Sequence, residues 1–344
     1  MNTENEKDFI SRLLLLSERI LTCRARRIAR IKLKQKRRGM LLEWLDAFVW
    51  AVLMVLLLNQ YLLQAYQIPS GSMRDTLIGG RDPYTGRVSK SDRIFVDKLT
   101  FGPELLPGTL KLPGLRTPRR GEIIIFENPD YESPSLAHEI TQRVLYMATL
   151  SLVDLNRRGG EIAHQFLIKR QAAEDGDRVL FRRGELYIQP KGEEALIAEN
   201  DYKKYTGLEY GNNLLLDSDY YDKLEATLQA MRMEREGLPL SEDLLSRAAL
   251  PWTSPLRKTM ADPYDEDRID SGIMNILYPQ NESVANSAAV YERGIYVPEN
   301  WALPLGDNRS DSLDGRYFGP ISTEAVLGRA LLIYWPLNRF GGIH

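Results

Sequence analysis

One apolar stretch constrains the fold of this chain more than any other feature of its sequence. Residues 47–58 are all apolar, and residues 44–63 carry Asp46, Asn59 and Gln60 near their ends. At ~1.5 Å per residue, a helix over 44–63 is roughly 30 Å long, which matches a bilayer core. We therefore predict one transmembrane helix over 44–63. A buried core helix is the alternative, and a cleaved signal peptide is disfavoured because the preceding region is too long.

The charge before this stretch predicts the direction in which the helix crosses the membrane. Between Arg24 and Arg38 there are nine Lys/Arg and no acidic residue, although the whole chain has a net charge of −2. Because basic residues are retained on the cytoplasmic side, we expect residues 1–43 to be a cytoplasmic basic segment and residues 64–344 to be extracytoplasmic. Nucleic-acid binding by the cluster is an alternative, but a basic cluster beside a span more often fixes orientation or contacts anionic lipid.

The cysteine content excludes some sources of stability. Cys23 is the single cysteine, so a disulfide within the chain is impossible. The sequence also has no Cys/His cluster with metal-ligand spacing. A hydrophobic fraction of 43% suits a globular protein with a real core, so packing must stabilise the fold.

The sequence after the apolar stretch predicts a mainly β domain. Short runs of β-branched and aromatic residues bounded by turn residues are typical of strands. The runs span residues 93–98, 122–126, 166–168, 178–181, 185–188, 294–297 and 329–335. Arg182-Arg183-Gly184 is predicted to be a hairpin turn between two of them. We expect an antiparallel β-sandwich or barrel-like sheet.

Two longer segments, at about 127–165 and 198–292, interrupt the strand pattern. In the first, apolar positions within residues 135–156 predict a helix. In the second, a helix is predicted over Asp219–Arg235, ending near Gly237. We expect both segments to be helical insertions, the second forming a small cap domain.

Ser72 and Lys169 are the candidate pair for chemistry. A serine attacks an amide only if a base accepts its proton, and histidine is the usual base. None of the three histidines lies in a sequence setting that suggests this role. A lysine that follows an apolar triplet, as Lys169 follows residues 166–168, can lose its charge when buried and act instead. A solvated lysine at a strand end is the alternative.

Four separated blocks follow the apolar stretch. They are Pro69-Ser70-Gly71-Ser72-Met73, Ser91–Lys98, Ile168-Lys169-Arg170 followed by Gly176-Asp177, and Gly306–Arg316. In this order after a membrane span, they closely resemble the type I signal peptidases of bacteria. The resemblance implies a signal-peptidase catalytic fold and a membrane-bound serine endopeptidase that removes N-terminal signal peptides from exported preproteins through an acyl-enzyme. It also implies a single-pass protein of the cytoplasmic (inner) membrane with its catalytic domain on the periplasmic side.

The same resemblance implies roles for individual residues. Ser72 would be the nucleophile and Lys169 the general base, whose pKa of ~10.4 must fall by ~2–3 units, or roughly 3–4 kcal/mol. The Ser72 N–H and the Ser70 hydroxyl would form the oxyanion hole, and Ser312 would hydrogen-bond the lysine amine. Ser70 could otherwise be an ordinary turn residue. The remaining assignments are a supporting charged network of Asp307, Arg309, Asp314 and Arg316, and a substrate pocket of Ile68, Met73, Leu77, Leu167 and Ile168.

Two positions depart from the family pattern. Arg74-Asp75 follows Ser-Met where the family commonly has a proline, so the loop lacks that φ restraint. Gly315 stands where the family has serine, which removes the hydroxyl of a secondary contact. Neither departure removes a group that carries out the reaction.

The resemblance also implies the partners. A preprotein would bind as an extended strand, with small residues, typically Ala, one and three places before the cut. The lipid bilayer and the translocation machinery are further candidate partners, whereas neither a metal, nor an organic cofactor, nor nucleic acid is implied. Two alternatives remain. Self-cleaving repressors share the serine/lysine logic but lack a membrane span, and an inactive relative could bind preproteins or translocon partners without cutting them.

Overall fold

The structure is a computed structural model that divides into two compact units, Met1–Val55 and Leu56–His344. It describes scattered positions between 11 and 31, and then residues 40–80, 90–105, 110–129, 131, 136–149, 157–158, 161–162, 166–211, 216, 218–248 and 262–343. Most of the predicted cytoplasmic segment 1–43 lies outside the described residues.

Helix α1 spans Met40–Tyr61 and contains the apolar stretch. The segment Leu42–Tyr61 of this helix is long enough and apolar enough to cross a membrane. Trp44, Phe48 and Trp50 are each more than 60% exposed. A core helix would bury such side chains, so their exposure favours a membrane span over the buried alternative. The helix ends slightly earlier than predicted, because a strand begins at Leu63.

The second unit is built on an antiparallel sheet that curls into a half-barrel. Its strands are β1 (Leu63–Gln67), β2 (Arg93–Asp97), β3 (Ile123–Glu127), β4 (Arg157–Arg158), β5 (Glu161–Ile162), β6 (Phe166–Ala173), β7 (Arg178–Arg182), β8 (Glu185–Gln189), β9 (Ile197–Ala198), β10 (Ile295–Tyr296), β11 (Trp301–Leu305), β12 (Ile321–Ser322), β13 (Val326–Trp335) and β14 (Gly341–Gly342). The main sheet has the order β1-β2-β13-β3-β6-β11-β12, with β14 paired to β13. A second sheet has the order β10-β7-β8-β9, and β4 pairs with β5.

Apart from α8, the described helices of this unit lie in the second insertion and in part of the first. They are α2 (Leu136–Ala148), α3 (Glu199–Thr206), α4 (Ser218–Arg235), α5 (Glu242–Ala248), α6 (Pro263–Leu277), α7 (Glu282–Arg293) and α8 (Gly315–Phe318). Helix α4 confirms the helix predicted over Asp219–Arg235. Helix α2 confirms the helix predicted over 135–156 only as far as Ala148, and residues 150–156 lie outside the described residues. Among the described residues, helices contain more residues than strands, so the predicted mainly β class is not confirmed. The reason is that the second insertion consists largely of α3 to α7.

The second insertion has its own small core. Tyr221, Leu224 and Leu228 of α4 pack against Ile269 of α6, and all four are buried. This spacing places the three α4 residues on one face of the helix, as a buried helical stripe requires. The insertion is therefore a packed helical subdomain.

The hairpin between β7 and β8 was predicted correctly. Arg182 pairs with Glu185, so Arg183 and Gly184 form a two-residue turn. Both have positive φ, 53° and 71°. Positive φ at both central residues is the geometry of the turn that best matches the twist of paired strands.

Alternation along the strands gives the main sheet two apolar faces. Ile123 and Ile125 of β3 join one cluster, whereas Ile124 and Phe126 join another. Successive side chains of a strand point to opposite faces, so the clusters lie on either side of the sheet. We call them the first cluster, which includes Ile125, and the second cluster, which includes Phe126.

Candidate active site

Ser72 lies in the loop that follows β1, and the loop is anchored by apolar burial. Ile68, Met73 and Leu77 are all at most 2% exposed and belong to the first cluster. The Ile68 N–H donates to the Asp92 carbonyl at 2.9 Å, which extends the β1–β2 ladder by one residue. The backbone on both sides of Ser72 is therefore fixed by the core.

The segment 306–316 clamps this loop from the other side. The Asn308 N–H donates to the Ser72 carbonyl at 3.0 Å, and its side-chain amide donates to the Gly71 carbonyl at 3.1 Å. A Cβ on Gly306 would lie 2.2 Å from Ser312 Oγ and 2.6 Å from the Ser72 carbonyl. Only glycine permits this approach, so Gly306 lets the two segments pack directly together.

Lys169 projects from β6 and meets Ser72. Its Nζ lies 2.7 Å from Ser72 Oγ and 3.3 Å from the Ile168 carbonyl. The residue is 3% exposed, and Ile124 of the second cluster stands directly opposite it across the β3–β6 pair. Leu167 projects to the same face of β6. Lys169 is thus buried, shares its strand face with Leu167, and directs its amine to the Ser72 hydroxyl and the Ile168 carbonyl.

This environment changes the acidity of the lysine. Burial lowers the pKa of Lys169 to about 8, and the positive charge of Arg316 adds to this lowering. The negative charges of Asp314, Asp307 and Asp311 act in the opposite direction and raise the pKa. A charged amine loses its hydration when buried, which favours the neutral form. A substantial fraction of the amine can therefore be neutral near pH 8. A neutral amine at hydrogen-bond distance from a serine hydroxyl can accept its proton.

Ser70 lies next to the same hydroxyl. Its Oγ is 3.3 Å from Ser72 Oγ, and either oxygen can be the donor. A Cβ on Gly71 would lie 3.2 Å from Asp311 Oδ2, so glycine keeps this stretch uncrowded. The Ser70 hydroxyl therefore lies beside the Ser72 hydroxyl, and the oxyanion hole that these two residues would form stays a prediction.

An ion pair joins the strand of Lys169 to the clamping segment. Arg170 donates to Asp307 at 2.9 and 2.7 Å, and both side chains are 1% exposed. Thr76 donates to the same carboxylate at 2.5 Å. Such a two-pronged pair fixes geometry as well as charge. Asp307 was predicted from the sequence but its partners were not, although Arg170 directly follows Lys169 in a matched block.

Asp314 and Arg316 form a second buried pair. Arg316 Nε donates to Asp314 at 2.9 Å, and Gly306 N–H donates to the same carboxylate at 2.9 Å. Burial alone would raise the pKa of Asp314, but the charges of Arg316 and Arg309 and these hydrogen bonds hold it below its ordinary value. Arg316 also donates to the Arg309 carbonyl at 2.7 Å. Of the four residues predicted to form a charged network, Asp314 and Arg316 pair with each other, whereas Asp307 pairs with Arg170.

Arg309 takes its counter-charge from the second insertion. Its guanidinium donates to Glu199 of α3 at 2.8 Å and to the Gly306 carbonyl at 2.7 Å. Glu199 is fully buried and also accepts from the Tyr210 hydroxyl at 3.0 Å. Glu199 was not predicted from the sequence, because nothing local distinguishes it from other acidic residues at helix starts.

Comparison with known proteins identifies the family. The model of the family "Signal peptidase, peptidase S26" matches residues 41–335, which include every residue of this site. The chain belongs to this family. Signal peptidase I of Buchnera aphidicola is 22% identical over 296 residues, 86% of this chain and 77% of that protein. Signal peptidase I of Helicobacter pylori is 22% identical over 307 residues, 85% of this chain and 82% of that protein. Probable signal peptidase I-2 of Synechocystis is 34% identical over 88 residues, 25% of this chain and 40% of that protein.

In this signal peptidase family member, Ser312 departs from its predicted role. Its Oγ is buried and has no hydrogen-bond partner among the described residues. The Lys169 amine is directed to Ser72 Oγ and the Ile168 carbonyl, while Ser312 Oγ lies beside Gly306. The predicted hydrogen bond between Ser312 and Lys169 is therefore absent from this structure.

The five predicted pocket residues do not all lie together. Ile68, Met73, Leu77 and Ile168 belong to the first cluster. Leu167 packs against the second cluster, with Phe126 and Phe318. Neighbouring residues of a strand face opposite sides, so one pocket cannot contain both Leu167 and Ile168. Leu167 instead shares the strand face of Lys169.

Close packing explains why Gly315 stands where the family has serine. A Cβ on Gly315 would lie 2.7 Å from Leu303 Cδ1 and 2.8 Å from the Pro304 carbonyl. A serine here would force the backbone of β11 to move. Within the described part of the chain, no group of three or more His, Cys, Asp or Glu side chains is arranged to hold a metal ion.

Proposed function

We propose that this chain is a membrane-bound serine endopeptidase that removes N-terminal signal peptides from exported preproteins. The observation that carries the proposal is the 2.7 Å contact between Lys169 Nζ and Ser72 Oγ in a buried setting that lowers the lysine pKa to about 8. Membership of the signal peptidase family supports the same reaction class.

The proposed reaction begins with acylation of Ser72. Neutral Lys169 accepts the hydroxyl proton as Ser72 Oγ attacks the carbonyl carbon of the scissile peptide bond. The Ser72 N–H and the Ser70 hydroxyl donate to the oxyanion of the tetrahedral intermediate. Breakage of the C–N bond then transfers the proton from the lysine ammonium to the leaving amine, and the mature protein departs.

Deacylation repeats the chemistry with water. Neutral Lys169 accepts a proton from a water molecule that attacks the ester carbonyl of the acyl-enzyme. Collapse of the second intermediate returns the proton to Ser72 Oγ and releases the signal peptide as a carboxylate. Asp307, Arg309, Asp314 and Arg316 position the loop around the dyad and take no part in proton transfer.

The proposed substrate is an extended peptide with small side chains near the cut. Ile68, Met73, Leu77 and Ile168 would form the apolar wall of a small pocket for the residue before the scissile bond, typically alanine. Helix α1 would anchor the enzyme as a single span of the cytoplasmic membrane. By the positive-inside rule, residues 1–43 would be cytoplasmic and the catalytic unit would lie on the outer face. Preproteins, the lipid bilayer and the translocation machinery are the proposed partners.

The test is cleavage of a purified preprotein with an Ala-x-Ala junction by the full chain in detergent. Wild type should release one mature protein whose N-terminus follows the second alanine. A matched preprotein with tryptophan in place of that alanine should remain uncut, because the pocket is small. If the protein binds the intact preprotein but never cuts it, the binding-only alternative replaces this proposal.

A further inference from the structure

One edge of β1 bears directly on how substrate reaches Ser72. The Ile68 N–H donates to the Asp92 carbonyl and the Lys98 N–H donates to the Leu62 carbonyl, so the even-numbered residues of this stretch pair with β2. Residues 63, 65 and 67 must therefore direct their backbone N–H and C=O groups away from β2. We call these groups the outer edge of β1. No described strand lies along it, because β1 ends the main sheet.

Two backbone N–H groups of the outer edge already donate hydrogen bonds to side chains. The Gln67 N–H donates to the Tyr146 hydroxyl at 3.2 Å, and the Ala65 N–H donates to Asn59 Oδ1 at 3.3 Å. An extended peptide that adds to a sheet edge places its carbonyl oxygens at these same donors. Tyr146 and Asn59 thus stand where substrate carbonyls would stand. Gln67 is only five residues before Ser72.

Tyr146 belongs to α2, the helix of the first insertion, and α2 is docked firmly over this region. Arg143 of α2 forms ion pairs with Glu104, at 2.9 Å, and with Glu127 at the end of β3. The same guanidinium lies over the Phe166 ring, 5.0 Å from its centroid. The helix therefore contacts Phe166, the first residue of β6, as well as β1.

The start of β6 is a second open edge. Strand β11 pairs with β6 only from Arg170 onward, so Phe166 to Ile168 have a partner on the β3 side alone among the described strands. The rings of Tyr66 and Phe166 meet edge to face at 5.8 Å, and the Tyr146 ring lies 5.9 Å from that of Tyr66. These three rings link the outer edge of β1, the start of β6 and α2.

We propose that α2 is a lid over the substrate-binding edge and that the Tyr146 hydroxyl is its latch. An incoming preprotein displaces Tyr146 from the Gln67 N–H and accepts that hydrogen bond itself. The inference rests on the proposed function, because only a peptide substrate needs this edge. A closed lid reduces apparent substrate affinity by the fraction of molecules that are open. One hydrogen bond between uncharged groups shifts such an equilibrium by about 2- to 10-fold.

Replacing Tyr146 with phenylalanine tests the latch. Tyr146→Phe keeps the ring contacts but removes the oxygen that accepts from Gln67. The KM for the Ala-x-Ala preprotein should fall by about 2- to 10-fold, with kcat and the cleavage position unchanged. Tyr334→Phe is the matched control, because the Tyr334 hydroxyl is buried and has no hydrogen-bond partner within the described part of the chain. It should leave KM unaltered. A Tyr146→Phe enzyme whose KM is equal to or above that of wild type overturns the proposal.

Hydrogen exchange gives a readout that does not depend on cleavage. In the full-length Ser72→Ala protein without substrate, Tyr146→Phe should speed exchange of the Gln67 amide, and bound preprotein should slow it again. Unchanged exchange in the Tyr146→Phe background contradicts the latch even if the enzyme is active. Conversely, failure of wild type to cut any preprotein refutes the proposed function, while the exchange measurement still decides whether α2 closes the edge.

Discussion

Replacing Lys169 with methionine should stabilise the protein at pH 7 and abolish its activity. Lys169 is only 3% exposed, and burial lowers its pKa from 10.5 to about 8. At pH 7 the amine is charged in both states, but only the folded state must hold that charge away from water. Methionine has a similar length and no charge, so it fills the same space without this cost.

The magnitude follows from the two pKa values. A difference of about 2.5 units corresponds to roughly 3 kcal/mol of unfolding free energy. The lost hydrogen bond to Ser72 offsets about 1 kcal/mol, which leaves a net gain of about 2 kcal/mol at pH 7. This gain in unfolding free energy depends on pH. Between pH 8 and 10.5 the unfolded chain binds more protons than the folded one, so wild-type stability rises with pH through this window. The advantage of Lys169→Met should therefore shrink towards pH 10.

Denaturant unfolding of the detergent-solubilised proteins at pH 7 and pH 10 measures this effect. Lys98→Met is a matched control, because burial also lowers the pKa of Lys98 to about 8 and its amine bonds Gln64 rather than Ser72. It should show the same stability pattern while retaining cleavage. The inferred cost of the buried charge is refuted if Lys169→Met is less stable than wild type at pH 7. It is also refuted if the difference in unfolding free energy between the two proteins is the same at pH 7 and pH 10, because a buried charge would then not be what destabilises wild type.

Three further predictions address the same site. The kcat/KM should rise about tenfold per pH unit up to about pH 8 and then level off; a pH–rate profile that is flat from pH 6 to 9 would exclude Lys169 as the base. Glu199→Gln should lower the free energy of unfolding by about 3 kcal/mol and also lower kcat, because Arg309 is left buried without its counter-charge. The control Asp201→Asn, in the exposed pair with Lys204, should change neither quantity. Gly306→Ala should lower kcat by about 10²-fold by displacing Ser72, whereas Gly341→Ala, with nothing within 4 Å of the added Cβ, should be neutral in the same assay.

Local sequence signals were enough to locate the central elements of this protein. An unbroken apolar run predicts α1, and β-branched runs predict β2, β3 and β13 to within a few residues at most ends. The serine and lysine were paired from the absence of a suitable histidine and from the four matched blocks. The structure then placed Lys169 Nζ at 2.7 Å from Ser72 Oγ, a distance that depends on the register of β6 and could not be derived from either block alone.

Contacts made by side chains over long sequence separations could not be predicted in this way. Glu199 and Tyr146 lie in the two insertions, and their roles depend on where those helices dock. The orientation of the Ser312 hydroxyl depends on the close approach of Gly306. Leu167 is different, because strand alternation alone would have placed it on the face opposite Ile168. That error came from treating adjacent strand residues as one wall.

The most direct test of the serine–lysine pair is single-turnover cleavage of the Ala-x-Ala preprotein by wild type, Ser72→Ala and Lys169→Met, each in excess over substrate. With each enzyme also at a concentration well above its dissociation constant for the preprotein, differences in binding no longer affect the rate, which then reports the chemical step. Under the serine–lysine mechanism, wild type should convert the preprotein fully and each variant should be at least about 10³-fold slower, as expected when one member of a catalytic unit is lost. Cleavage by either variant at the wild-type rate would contradict the serine–lysine mechanism.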